Sequence, residues 1–259
     1  MALATHHNSP GLVTFDGDVT LYDDGQSLVP SNPVIPRILW LLEHDVNVGI
    51  VTAAGYTDAA RYHGRLFGLL EAIRDSERLS ERQKECLIVV GGESSYMFQS
   101  APGEEHLLRA IPREVWALEE MKTWTEGDVG GLLDIAEKAL RDSVTAMRLD
   151  AVVLRKERAV GIVHAEEGGR FAREQLEEAV LAVQRTLEMT EVGKRLPFCA
   201  FNGGNDVFVD IGDKRLGVLC CQTFFGNVTG EQTLHIGDQF LSAGHNDFKV
   251  CDGWLGGGI

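Results

Sequence analysis

Leu12-Val13-Thr14-Phe15-Asp16-Gly17-Asp18-Val19-Thr20-Leu21-Tyr22 is the stretch that decides how the rest of the chain is read. An apolar, β-prone run ends on a pair of carboxylates separated by a glycine. Gly17 permits a backbone path that most residues resist. In an open α/β sheet, ligands collect in the crevice outside the carboxyl ends of the strands. A strand stopping there on Asp-Gly-Asp offers a nucleophile with an acid/base partner, or two oxygen ligands for a hard cation. The plain alternative is an Asp/Gly turn closing a hairpin.

Outward from this stretch the chain alternates strand and helix. Leu12–Asp16 reads as a strand, and Pro33-Val34-Ile35-Pro36 opens a helix carrying Ile38, Leu39, Leu41 and Leu42. Asn47–Thr52 is a near-continuous apolar run of the kind that fills a parallel sheet. Thr57-Asp58 caps the next helix, which shows Tyr62, Leu66, Leu69 and Leu70 on one face. Leu87–Val90 is a third strand, closed by Gly91-Gly92. This rhythm predicts an α/β fold with a doubly wound, mostly parallel sheet.

The rhythm changes after Ala110. Pro112–Met121 and Leu132–Met147 read as helices, Ala151–Leu154 and Val160–Val163 as paired strands, and Arg173–Leu187 as an amphipathic helix. Phe198–Phe201 and Val207–Ile211 return to strand, and Leu234-His235-Ile236-Gly237-Asp238 again ends an apolar strand on aspartate. The expected organisation is a core of residues 1–110 and 206–259 interrupted by an α+β module at 111–205.

Bulk properties narrow the function. The 259 residues suffice for a sizeable core. A formal charge of −15 argues against binding a nucleic acid polymer, which needs a basic stripe. It leaves room for a small phosphorylated substrate, because a bound cation reverses the local sign. Five cysteines without framework or zinc spacing read as reduced thiols. No basic-then-apolar leader opens the chain and no apolar run reaches membrane-spanning length. These features predict a cytoplasmic protein without a membrane partner.

Three further stretches join Asp16 and Asp18. Thr52, at the end of a buried strand and followed by small residues, offers a hydroxyl and backbone N–H groups to an anionic oxygen; taken alone, a routine strand-to-helix turn is the favoured alternative. Lys214 starts a helix, where the dipole does not favour a cation, so a nearby anion would explain it; a solvated surface lysine is the alternative. Asp238 supplies another hard oxygen ligand, with Asp247 behind it in an Asn/Asp loop; an Asx-rich turn is the alternative.

In this order, Asp-x-Asp, strand-end Thr, Lys and Gly-Asp…Asn-Asp resemble the haloacid dehalogenase superfamily of phosphotransferases, with the inserted module where that superfamily places a substrate-selecting cap. The blocks Phe15–Tyr22, Ile50–Tyr56, Gly91–Ser94, Phe201–Gly204 and His235–Ser242 are similar, more closely, to the IMP-specific 5′-nucleotidase family, over nearly the whole chain from Gly11 to Lys249. The resemblance implies hydrolysis of inosine monophosphate to inosine and phosphate with Mg²⁺. Asp16 would form an aspartyl-phosphate, and Asp18 would act as general acid/base. Asp16, the Asp18 backbone carbonyl and Asp238 would hold Mg²⁺, with Asp247 behind them, while Thr52 and Lys214 would bind the phosphoryl oxygens.

For the nucleoside, the resemblance implies Asp24 and a stacking Phe248, with Arg65 and the Asn202, Gly203, Gly204 and Asp206 loop approaching from the cap side. It also points to a homo-oligomer. The competing expectations are a related phosphatase for another nucleotide or a sugar phosphate, and a non-catalytic nucleotide-binding regulator.

Overall fold

The computed structural model describes residues 10–23 and 25–238. It divides into two compact units, the first holding residues 10–118 and 214–238, the second Glu119–Asp213.

In the first unit, β1 (Leu12–Phe15) leads to α1 (Ile35–Glu43), β2 (Asn47–Val51), α2 (Ala59–Asp75), the short α3 (Glu81–Lys84) and β3 (Leu87–Gly91). Asp58 caps α2 by accepting the Arg61 N–H at 2.9 Å. Two strands that the sequence pattern did not reveal, β4 (Tyr96–Ser100) and β5 (Leu108–Ala110), follow. After them come the one-turn α4 (Arg113–Trp116) and a 3₁₀ turn at Glu120–Thr123, where one helix over Pro112–Met121 was expected. Ala117 leaves the helical region with ψ of 133°, which breaks the expected helix.

The second unit contains α5 (Glu126–Met147), β6 (Ala151–Arg155), β7 (Ala159–His164), α6 (Arg173–Glu188), α7 (Glu191–Arg195), β8 (Phe198–Asn202) and β9 (Asp206–Ile211). The chain then returns to the first unit as α8 (Lys214–Phe224) and β10 (Thr233–Ile236).

Among the described residues, the first unit's sheet runs β10-β1-β2-β3-β4-β5. β10, β1, β2 and β3 are parallel and β4 and β5 antiparallel, so the fold is α/β with a mostly parallel sheet. Strand residues alternate between its two faces. Val13, Phe15, Val48, Ile50 and Val89 bury themselves against α1 and α2 through Ile38, Leu42, Tyr62, Leu66 and Leu69. The opposite face takes α8: a Cβ on Gly49 would meet Cys221 Sγ at 2.9 Å, and one on Gly217 would meet Val51 at 2.5 Å. Covered on both faces, the strands read as unbroken apolar runs.

The second unit is an antiparallel sheet, β6-β7-β9-β8. Val160, Ile162, Val207 and Val209 form one core with Leu132, Leu140, Leu176 and Val183 of α5 and α6. Here the expected boundary is corrected. Residues 206–211 are expected in the core, but β9 pairs with β7 and β8, and Phe208 lies opposite both Gly161 and Phe201. An apolar alternation looks the same in either sheet, and the Gly203-Gly204 turn folds β9 back onto β8. The return to the first unit is therefore at Lys214, and residues 111–118 belong with the first unit. No helix among the described residues is long and apolar enough to cross a membrane.

Candidate active site

The carboxyl ends of β1, β2 and β10 lie side by side, since Phe15 is in register with both Ile50 and Ile236. The ladder continues one residue further, with the Asp16 N–H donating to the Ile236 carbonyl at 2.8 Å. Asp16 is buried and Asp238, two residues beyond β10, is exposed. Both therefore follow neighbouring parallel strands at the carboxyl end of the sheet.

Lys214, the first residue of α8, places Nζ 2.8 Å from Asp16 Oδ1. Its side chain is 1% exposed, so the surface-lysine alternative is excluded. A cation at a helix start is opposed by the dipole, and a buried ammonium needs a partner; the Asp16 carboxylate satisfies both requirements.

Thr52 follows β2, is buried, and its Oγ1 accepts the Ala54 N–H at 3.1 Å. Its carbonyl accepts the Glu93 N–H at 3.1 Å. Glu93 holds a φ of +61° at the β3–β4 turn and is fully buried, so this turn backs the end of β2. Gly17 fits where nothing larger would: an ideal Cβ there lies 2.7 Å from Tyr22 Oη and 3.2 Å from Thr52 Oγ1. Tyr22 is itself buried, and burial, reinforced by the Asp18 carboxylate, pushes its phenol well above the usual tyrosine range.

Asp18 takes a different partner from Asp16. Its Oδ1 is ion-paired with the Arg65 guanidinium of α2 and also accepts the Gly25 N–H at 3.2 Å. Arg65 was expected from the cap side; it lies in the first unit, because α2 packs Tyr62, Leu66 and Leu69 into the sheet and turns Arg65 toward the β1 end. Its guanidinium carbon sits 5.0 Å from the centroid of the Tyr22 ring. Tyr22 and Arg65's hold on Asp18 were not foreseen; spacing within Asp16–Tyr22 could have suggested the first, and nothing local the second.

Asn202, Gly203, Gly204 and Asp206 make the β8–β9 turn of the second unit. The Gly203 N–H donates to the Asp206 carbonyl at 3.1 Å and the Gly204 N–H to Asn202 Oδ1 at 2.8 Å. The expected site residues Asp24, Asp247 and Phe248 lie outside the described residues. Among the described residues no three His, Cys, Asp or Glu side chains gather as a metal cage. The expected Mg²⁺ set asks for less: the carboxylates of Asp16 and Asp238 with one backbone carbonyl, a donor set of the hard-oxygen type Mg²⁺ takes when water and phosphate complete its shell.

A sequence profile of the family described as IMP-specific 5′-nucleotidase matches residues 1–254. A relative named IMP-specific 5′-nucleotidase 1 from Aspergillus fumigatus is 58% identical over 243 residues, 93% of this chain and 54% of that protein. One of the same name from Saccharomyces cerevisiae is 46% identical over 266 residues, 94% of this chain and 59% of its own length. The chain thus spans little more than half the length of these curated relatives. A solved structure of N-terminally truncated, IMP-bound Plasmodium falciparum IMP-nucleotidase superposes with a TM-score of 0.82 at 35% identity, covering 92% of this chain and 61% of that one. The sequence profile, the relatives and the shared fold agree, and the chain belongs to the IMP-specific 5′-nucleotidase family.

Proposed function

We propose that this chain hydrolyses IMP to inosine and phosphate with Mg²⁺, using Asp16 as nucleophile. The observation that carries the proposal is the buried Asp16–Lys214 pair at the strand ends, with the Thr52 hydroxyl bordering the adjacent Gly17. A carboxylate and an ammonium held there from opposite ends of the chain match what an in-line attack on a phosphate monoester requires. The names of the relatives and the IMP-bound Plasmodium structure support the substrate.

In this scheme an Asp16 oxygen attacks phosphorus and the bond to the ribose 5′ oxygen breaks. Asp18 gives its proton to that oxygen, then accepts one from the water that hydrolyses the aspartyl-phosphate. Lys214 and Thr52 hold phosphoryl oxygens while negative charge gathers on them. Asp16, Asp238 and the Asp18 carbonyl would hold Mg²⁺, which neutralises phosphate charge when bound. Asn202, Gly203, Gly204 and Asp206, with Asp24 and Phe248, are the residues proposed to meet the nucleoside, and Asp247 to support the metal side.

The test is phosphate release from IMP, AMP, GMP and a sugar phosphate, each with Mg²⁺ and with EDTA. Preferential, metal-dependent release from IMP is expected. Equal release from the sugar phosphate would favour a broader phosphatase, and no release from any ester would favour a non-catalytic binder.

A further inference from the structure

We infer that Arg65 is a positioning residue for the proposed general acid/base: it fixes Asp18 by an ion pair while resting on the ring of Tyr22. The inference rests on the phosphatase function proposed above and goes beyond the nucleoside role expected for Arg65.

The loop after β1 has little regular structure to hold it. Asp18 forms an isolated bridge with Tyr22, the Leu21 N–H donates to the Gly17 carbonyl at 2.8 Å, and Val19 adopts a φ of +64°. To these local bonds α2 adds anchors from outside the loop. The Leu28 N–H donates to the Arg65 carbonyl at 2.7 Å, and the Gly68 N–H donates to the Leu28 carbonyl at 3.0 Å. Leu28 thus enters the hydrogen-bond ladder of α2 between Arg65 and Gly68. An ideal Cβ at Gly68 would lie 2.5 Å from backbone atoms of residues 28–30, so close approach requires glycine here. The same residue, Arg65, therefore anchors both ends of the loop, its carbonyl at Leu28 and its guanidinium at Asp18.

The side chain is aimed rather than loose. Its exposure is 17%, its terminal nitrogen meets Asp18 Oδ1, and its guanidinium carbon lies over the ring of Tyr22, whose hydroxyl end abuts Gly17. A guanidinium ion-paired with a carboxylate and seated over an aromatic ring has its place set by both. Asp18 is steered in return, and with it the carboxyl that must meet the leaving oxygen. Arg65 Nε has no acceptor among the described residues, which leaves one donor for a ligand; a substrate-binding role is the competing account.

The test compares kcat and KM for IMP with those for p-nitrophenyl phosphate, whose leaving group departs without needing a proton. Arg65→Ala should lower kcat on IMP by about 10- to 100-fold, the order expected from misplacing a catalytic group by ~1 Å. KM for IMP should stay within about twofold, and kcat/KM for the aryl phosphate should barely change. Arg65→Lys should recover part of the loss. Adding Arg65→Ala to Asp18→Asn should cost nothing more, because the residue Arg65 acts through is already disabled.

A raised KM for IMP with kcat preserved, or losses that multiply in the double variant, would overturn the inference. Should Arg65→Ala fail to fold, Arg65→Met, which keeps the aliphatic stem over Tyr22, carries the same expectations. Asp16→Asn is measured alongside. If it turns over IMP at the wild-type rate, the phosphatase scheme itself falls; if it is inactive while Arg65→Ala behaves as wild type, the role of Arg65 alone falls.

Discussion

Lys214 Nζ sits 2.8 Å from Asp16 Oδ1 although the two residues come from opposite ends of the chain. Both side chains are almost wholly buried, and removing one partner of such a pair typically costs about 3–5 kcal/mol because a charge is stranded in the interior. Lys214→Met should therefore lower stability by that order in urea denaturation and abolish phosphate release. Adding Asp16→Asn should restore much of the stability and none of the activity. Full stability of Lys214→Met alone would mean that the pair is not held as described.

Gly17 is bounded by side-chain atoms: a Cβ would lie 2.7 Å from Tyr22 Oη and 3.2 Å from Thr52 Oγ1. Gly17→Ala should destabilise by about 1–3 kcal/mol, the usual range for overpacking. Because one obstacle is a hydroxyl oxygen, Gly17→Ala combined with Tyr22→Phe should recover part of the loss. Thermal denaturation of the set would show this, and equal melting of the single and double variants would contradict it.

Two glycines of α2 should behave oppositely. A Cβ on Gly68 meets backbone at 2.5 Å, whereas one on Gly64 meets nothing within 4 Å. Gly68→Ala should lower stability by about 1–3 kcal/mol. Gly64→Ala should raise it by up to about 1 kcal/mol through helix propensity. Similar effects from the two would remove the close approach of residues 28–30 to α2.

Tyr22 makes stability depend on alkaline pH. Its phenol is pushed up by burial first and by Asp18 second. An unfolded tyrosine ionises near pH ~10, so above that pH the unfolded state sheds a proton that the folded state retains. The contribution is whole below the unfolded value and is lost as pH rises from there toward the folded one. Tyr22→Phe should lose less stability than wild type between neutral pH and pH ~11. Parallel stability curves would contradict the shift.

The first unit was legible in the sequence wherever local pattern decides structure. Apolar runs such as Val48–Val51 could be read as strands because helices on both faces demand them, and Asp58 as a cap because its side chain acts within its own turn. Lys214 was legible through its misfit with the helix dipole. β4 and β5 were not: they are short antiparallel additions whose Gln99 and Arg109 blur the alternation. The sheet to which β9 belongs was also hidden, since alternation records burial and not the partner. Nor could spacing show that Arg65 grips Asp18, a contact made only when α2 docks beside the loop after β1.

In the proposed scheme Asp16 takes the phosphoryl group. Its most direct measurement is rapid acid quenching of the protein mixed with phosphate-labelled IMP and Mg²⁺, followed by peptide mapping of the protein-bound label. Label on the peptide containing Asp16, absent when Asp16→Asn is used and released by hydroxylamine as expected of an acyl phosphate, is the predicted result. Label on another residue, or wild-type labelling of Asp16→Asn, would contradict it.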